Sequence, residues 1–133
     1  MSTSIDKIAW VHIRDGKVLC ARSAGKAAFY LPGGKREQGE TDEETLCREI
    51  AEEISVRILS ESISLFGTFE APAHGKAVGI QVRMTCYMAD YVGELQPAAE
   101  IEELAWLSYA DRDQVSAVSQ LIFEQLHQLA LIA

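Results

Sequence analysis

Glu49, Glu52 and Glu53 stand at i, i+3 and i+4, the spacing that brings carboxylates together on one face of a helix. At about 5–6 Å between neighbours, each pair repels by roughly 3 kcal/mol at an effective dielectric near 20, and by much less in open water. Such a face calls for cations. Helix composition alone supports a solvated acidic surface, the usual fate of a charge run. Three neighbours favour a divalent ion instead: Arg48 beside the cluster, at i±4 from Glu44 and Glu52; Glu40 just ahead of it; and Pro32-Gly33-Gly34, a loop whose backbone can approach a ligand closely. Carboxylate and backbone oxygens, with several waters retained, are what Mg²⁺ takes when it binds a phosphate substrate. Ions held so against a pyrophosphate would neutralise charge on the bridging oxygen and lower the pKa of a bound water. The chemistry is attack of water at phosphorus.

A helix beginning at Asp42 must present these groups. Thr41 and Glu44 form a capping-box pattern, in which each side chain satisfies an orphan amide of the other's segment. Asp42, Glu43 and Glu44 then occupy the first turn, where the helix dipole favours negative charge, and are assigned to folding. Leu46, Ile50 and Ile54, with Cys47 and Ala51 beside them, make the apolar stripe that packs on a sheet.

Gly34, five residues, Glu40, seven residues, then Arg48-Glu49-Ile50-Ala51-Glu52-Glu53-Ile54-Ser55-Val56 resembles the Nudix box, G-x5-E-x7-R-E-U-x-E-E-x-G-U with U aliphatic, of the Nudix hydrolase family. Ser55 departs from it, standing where the family has Gly. A glycine after a helix supplies a left-handed residue that closes the last turn, and Ser in that conformation costs about 1 kcal/mol. A slightly altered helix exit is expected, with no carboxylate lost.

The resemblance implies an α/β fold, an α/β/α sandwich with a mixed β-sheet between helices. It implies that Glu52 and Glu53 coordinate Mg²⁺ or Mn²⁺ with the Gly33 carbonyl, that Glu49 is a further ligand or the general base, that Arg48 orients a carboxylate, and that Glu40 supports the loop. Some family members take the base from a later loop, where Glu100, six residues before Trp106, is the candidate and Glu102 or Glu103 the alternative. The activity implied is hydrolysis of a diphosphate linkage in a small-molecule nucleotide substrate, most simply a nucleoside triphosphate cleaved to monophosphate and pyrophosphate. The alternative is a Nudix-fold module that senses a nucleotide without turning it over. A structural domain with an acidic helix is a third reading.

Outside the box, Arg22, Lys26 and Lys35 flank the glycine loop and are candidates to receive phosphate oxygens, with Gly34 on the substrate side. Trp10, Phe29, Tyr30 and Tyr87 could stack a base, although core packing is the commoner role of strand aromatics. His74 is an exposed loop residue, the commoner case, or else a substrate contact or a base. His12 and His127 carry no motif.

With 133 residues, 48% of them hydrophobic, residues 1–133 suffice for one domain. Twelve basic against twenty acidic residues, a net charge of −8, argue against nucleic-acid or anionic-membrane surfaces. Cys20, Cys47 and Cys86 fit neither a disulfide framework nor a zinc spacing and are expected as reduced core residues. No secretory signal or membrane-spanning apolar segment stands in the sequence, so a cytoplasmic location is expected; a homodimer is left open.

Along the chain, Lys7–Ile13 and Val18–Ala21 read as a hairpin around Asp15-Gly16, and Phe29–Leu31 as a short strand stopped by Pro32. A turn near Ser60–Ser62 precedes a strand through Gly67–Glu70, and Ala71–Gly75 reads as a loop. Val78–Tyr91 is the longest strand candidate and is expected to be central or near-central. A strand at Ala105–Leu107 and an amphipathic helix over Ser116–Leu131, with Val118, Leu121, Ile122, Leu126 and Leu129 inward, complete the order.

Overall fold

Successive residues of the first strand bury into different cores. The computed structural model describes residues 3–73 and 79–133, and in it β1 (Thr3–Trp10) sends Ile8 and Trp10 to one side and Ala9 to the other. Period-two alternation in a strand covered on both faces requires this. On the first side lies α1 (Asp42–Ile54), whose Leu46, Ile50 and Ile54 are fully buried. On the second lies α2 (Ala117–Gln128), contributing Val118, Ile122, Phe123 and Leu126. The two helices therefore enclose a sheet layer, as an α/β/α sandwich does.

That layer includes β2 (Ile13–Arg14), β3 (Lys17–Ser23), β4 (Gly33–Lys35), β5 (Arg57–Ile58), β6 (Ser64–Pro72), β7 (Ile80–Met88), β8 (Tyr91–Val92) and β9 (Ile101–Leu107). A four-stranded sheet has the order β4-β1-β7-β6, with β1 and β7 parallel and the other pairs antiparallel; β2-β3-β9 and β5-β8 form smaller antiparallel sets. β7 lies between β1 and β6, the central place expected for it. Its Met84 and Cys86 face the α2 side, as alternation requires.

Several expectations are corrected. Asp15 and Gly16, both at positive φ, do make the hairpin turn, but the strand opposite β3 is the two-residue β2. β1 (Thr3–Trp10) does not pair with β3, because its two edges are taken by β4 and β7, and β3 pairs with β9. Phe29 and Tyr30 make only single bridges, to Val115 and Ala21. Gly33–Lys35, read as loop, is an edge strand on β1, and Ala71-Pro72 continue β6. β9 takes in the whole of Ile101–Leu107, and Tyr91-Val92 leave the long strand to pair with β5. On α2, Leu121 and Leu129 are exposed and Phe123 is the buried residue between Ile122 and Leu126. Ala51 is exposed as well. His74 and Val78 lie outside the described residues.

Candidate active site

α1 starts where its cap dictates. Thr41 Oγ1 accepts from the Glu44 amide at 3.2 Å and the Glu44 carboxylate accepts from the Thr41 amide at 2.9 Å, so Glu44 is used at the cap and does not bind Arg48. Asp42 accepts from Arg36 and, at 2.6 Å, from the Tyr87 hydroxyl. Downstream, Arg48 gathers the acidic groups: its guanidinium lies 2.6 Å from Glu40, 2.7 Å from Glu49 and 3.5 Å from Glu52, and it donates to the Lys35 carbonyl at 3.1 Å. One cation thus joins the pre-helix loop, the helix and β4. It holds the Glu40 carboxyl down to about 2, helped by the Glu37 amide and the Thr45 hydroxyl.

The three box glutamates have different surroundings. Glu52 is half exposed, with 55% of its side chain open to solvent. Glu49 is largely covered, and burial raises its pKa against the opposing pull of Arg48. Glu53 is 4% exposed. Burial pushes its carboxyl up to about 8, and the adjacent Glu100 carboxyl and the Glu49 charge add to this, opposed by the Gly33 amide, which donates to it at 3.2 Å.

The two glycines of β4 allow two close approaches. Gly33 has φ +148°, and a Cβ there would run into the carbonyl oxygen of Ile8 and come within 2.8 Å of Ala9 Cα. A Cβ on Gly34 would occupy the space of the Glu49 carboxylate. Because β4 is the edge strand, the missing side chain at Gly34 lets the Glu49 carboxylate reach past it, while the bare Gly33 lets β4 lie close against β1.

Glu49, Glu53 and Glu100 line a cavity of about 630 Å³ together with Gly33, Gly34, Lys35, Lys26 and Tyr30. The cavity continues over Ile5, Val82 and Met84 to Ser116–Val118 at the start of α2. Glu102 and Glu103, the alternatives to Glu100, instead bind Arg22 at 3.1 Å each. That corrects the expectation for Arg22: its guanidinium is taken by β9 and by the Lys26 carbonyl at 3.0 Å, and it does not line the cavity. Of the four aromatics considered for stacking, Trp10 and Phe29 are buried in the core and Tyr87 binds Asp42. Tyr30 alone of the four lines the cavity, its hydroxyl 2.5 Å from that of Ser23.

Lys7 was missed. It lies opposite Lys35 in the β1–β4 register and lines the same cavity. Its alternation with Ile8 and Trp10 was the available signal, but only the pairing of β1 with β4 brings it to the glycines.

The donor set fits a hard dication in kind, since the converging groups are carboxylate oxygens whose pKa values are raised by burial first and by neighbouring carboxylates besides. Among the described residues, no three Asp, Glu, His or Cys side chains are gathered closely enough to hold an ion as they stand. Arg48 engages Glu49 and Glu52 in this arrangement.

Among solved structures, a MutT NUDIX hydrolase from Burkholderia pseudomallei is similar to this chain at 23% identity and TM-score 0.75, over 94% of this chain and 99% of the other. The MutT protein from Methanosarcina mazei Go1 superposes at TM-score 0.77 with 18% identity, over 97% and 96% of the two chains. A UDP-X diphosphatase follows at TM-score 0.64 and 20% identity, over 96% of this chain and 61% of the other. These likenesses show the fold. No curated protein sequence matches the chain. The NUDIX domain model matches residues 6–125, a span that holds the box, the whole of α1 and every described lining residue of the cavity except Ile5, and the chain therefore belongs to the Nudix family of hydrolases.

Proposed function

We propose that this cavity hydrolyses a diphosphate linkage in a nucleoside diphosphate derivative, most simply a nucleoside triphosphate, giving the monophosphate and pyrophosphate. The observation that carries the reading is Glu53, a buried carboxyl beside Glu49 and Glu100 in a cavity that also presents Lys7, Lys26 and Lys35. Acids placed to repel one another, with ammonium groups nearby, suit a ligand that brings both positive and negative charge.

Glu49, Glu52 and Glu53, with the Gly33 carbonyl, would hold Mg²⁺ or Mn²⁺. When bound, the ion neutralises charge building on the leaving phosphate and acidifies a water. Arg48 fixes the direction of Glu49 by its 2.7 Å contact, and the Gly33 amide fixes Glu53. Glu49 or Glu100 takes the proton of the attacking water, Glu100 being the member of its trio in the cavity. Lys35 and Lys7 receive phosphate oxygens, and Gly34 lets them approach. Among the described residues no helix is long and apolar enough to cross a membrane.

The test is release of phosphate or pyrophosphate from a panel of nucleoside triphosphates and nucleoside diphosphate sugars, with and without Mg²⁺, using Glu53→Gln as control. The UDP-X diphosphatase among the structural neighbours justifies including the sugars. Ion-dependent turnover that disappears in Glu53→Gln is expected. Turnover equal in the variant would remove the carboxylate assignment, and a raised Tm with no turnover on any compound would favour the sensor alternative.

A further inference from the structure

Ser55 departs from the box and makes a side-chain contact that glycine could not. It takes φ +70° and ψ 18°, the left-handed conformation, while its amide still donates to Ala51 and closes the helix. Glycine would adopt this backbone without cost, so the serine is not there for the turn. Its Oγ donates to the Gln96 carbonyl at 3.1 Å.

That contact is one of three between the end of α1 and the segment entering β9. The Gln96 amide donates to Ile54 O at 3.0 Å and the Ala98 amide to Glu53 O at 2.9 Å, using helix carbonyls that lack an internal partner. A glycine at 55 could keep those two. A glycine would lose the third, the bond from the Ser55 hydroxyl to the Gln96 carbonyl, which belongs to the peptide before Pro97. Two residues further on, Ala98 O accepts from the Ile101 amide at 3.0 Å, and Ala99, at φ +53°, turns the chain to deliver Glu100. Glu100 O in turn accepts from the Ala24 amide at 2.9 Å.

We propose that Ser55 is a positioning residue for Glu100, its hydroxyl pinning the 96–98 segment to the helix end that carries Glu53, so that the two carboxyls stay side by side. This rests on the reading above that Glu100 serves the reaction. Ser55 touches no substrate. It acts through Gln96 and the turn at Ala98–Ile101.

The experiment compares Ser55→Gly, Ser55→Asn and Glu100→Gln, with Ser55→Gly also made in the Glu100→Gln background. In Ser55→Gly the Tm should hold or rise, because the left-handed strain is gone, while kcat falls about fivefold, the value of one lost hydrogen bond, with KM little changed. Asn tolerates the same backbone and carries a donor amide, so Ser55→Asn should recover most of the rate. With Glu100 already Gln, adding Ser55→Gly should have no further effect on kcat. Hydrogen exchange at the Ala98 amide should quicken in Ser55→Gly. Unaltered kcat in Ser55→Gly, a fall of equal size in the Glu100→Gln background, or unaltered Ala98 exchange would overturn the proposal. A wild-type chain that turns over no nucleotide would instead remove the proposed function, and the exchange measurement would still decide whether Ser55 pins the loop.

Discussion

Arg48 closes a two-pronged contact on Glu40, eight residues before it: Nε donates to one carboxylate oxygen at 2.6 Å and Nη2 to the other at 2.9 Å. The remaining amino group reaches Glu49 at 2.7 Å. A planar guanidinium makes the paired contact on Glu40 while its third nitrogen serves Glu49, a fork geometry that an ammonium lacks. Arg48→Lys should therefore lower kcat about 10- to 100-fold, the usual cost of removing a group that orients a ligand side chain, with a loss of several degrees in Tm. Arg48→Ala should lower it further. Steady-state rates on the substrate found in the panel check this, and a wild-type rate in Arg48→Lys would leave the residue a surface ion-pair partner.

The two glycines of β4 should respond differently to alanine. At Gly33 the positive φ alone costs about 1–3 kcal/mol, and the added methyl meets the backbone of Ile8 and Ala9, which cannot move aside. At Gly34 it meets the flexible end of Glu49. Chemical denaturation should show Gly33→Ala strongly destabilised and Gly34→Ala close to wild type, while the rate of Gly34→Ala falls because the carboxylate has been displaced. Comparable stability in the two variants would contradict the edge-strand geometry.

Without divalent ions, stability should depend on pH through Glu53. Its folded pKa, near 8, lies above the ordinary carboxyl value of 4.5 because burial penalises the charge. Below 4.5 both states hold the proton and the contribution is complete; as pH rises toward 8 the unfolded chain ionises first and stability is lost. Glu40 has the opposite sign. Held at about 2 by Arg48, it stabilises the fold above 4.5 and ceases to as the pH falls toward 2. Thermal melts in chelator should thus decline from about pH 5 to about pH 8.5, and Glu53→Gln should flatten that limb. A limb of equal slope in Glu53→Gln would mean another group titrates.

On α2, Phe123→Ala should cost about 3–5 kcal/mol and Leu121→Ala no more than about 0.5. The first side chain is completely buried and the second 43% exposed. Urea unfolding of the two variants would settle which face the helix buries.

Local chemistry made much of this chain legible. The cap at Thr41, the helix from Asp42 and the burial of Leu46, Ile50 and Ile54 follow from side chains three and four apart, a distance the helix itself sets. The Asp15-Gly16 turn and the central strand through Met84 and Cys86 follow from turn preference and alternation in the same way. The left-handed Ser55 was foreseen from the place of glycine in the box. Strand pairing was not legible: whether β1 meets β3 or β4 depends on residues far apart in sequence, and Gly33–Lys35 carries no strand preference of its own.

What the sequence determined by itself is the acidic helix, its cap and its family box, because covalent spacing and helical period dictate them. Tertiary structure decided the rest: that Glu53 is buried while Glu52 is exposed, that Glu100 reaches the cavity while Arg22 is drawn off to Glu102 and Glu103, and that Lys7 stands beside Lys35. Burial and charge pairing are set by which surfaces meet in space, and no spacing along the chain encodes that meeting locally.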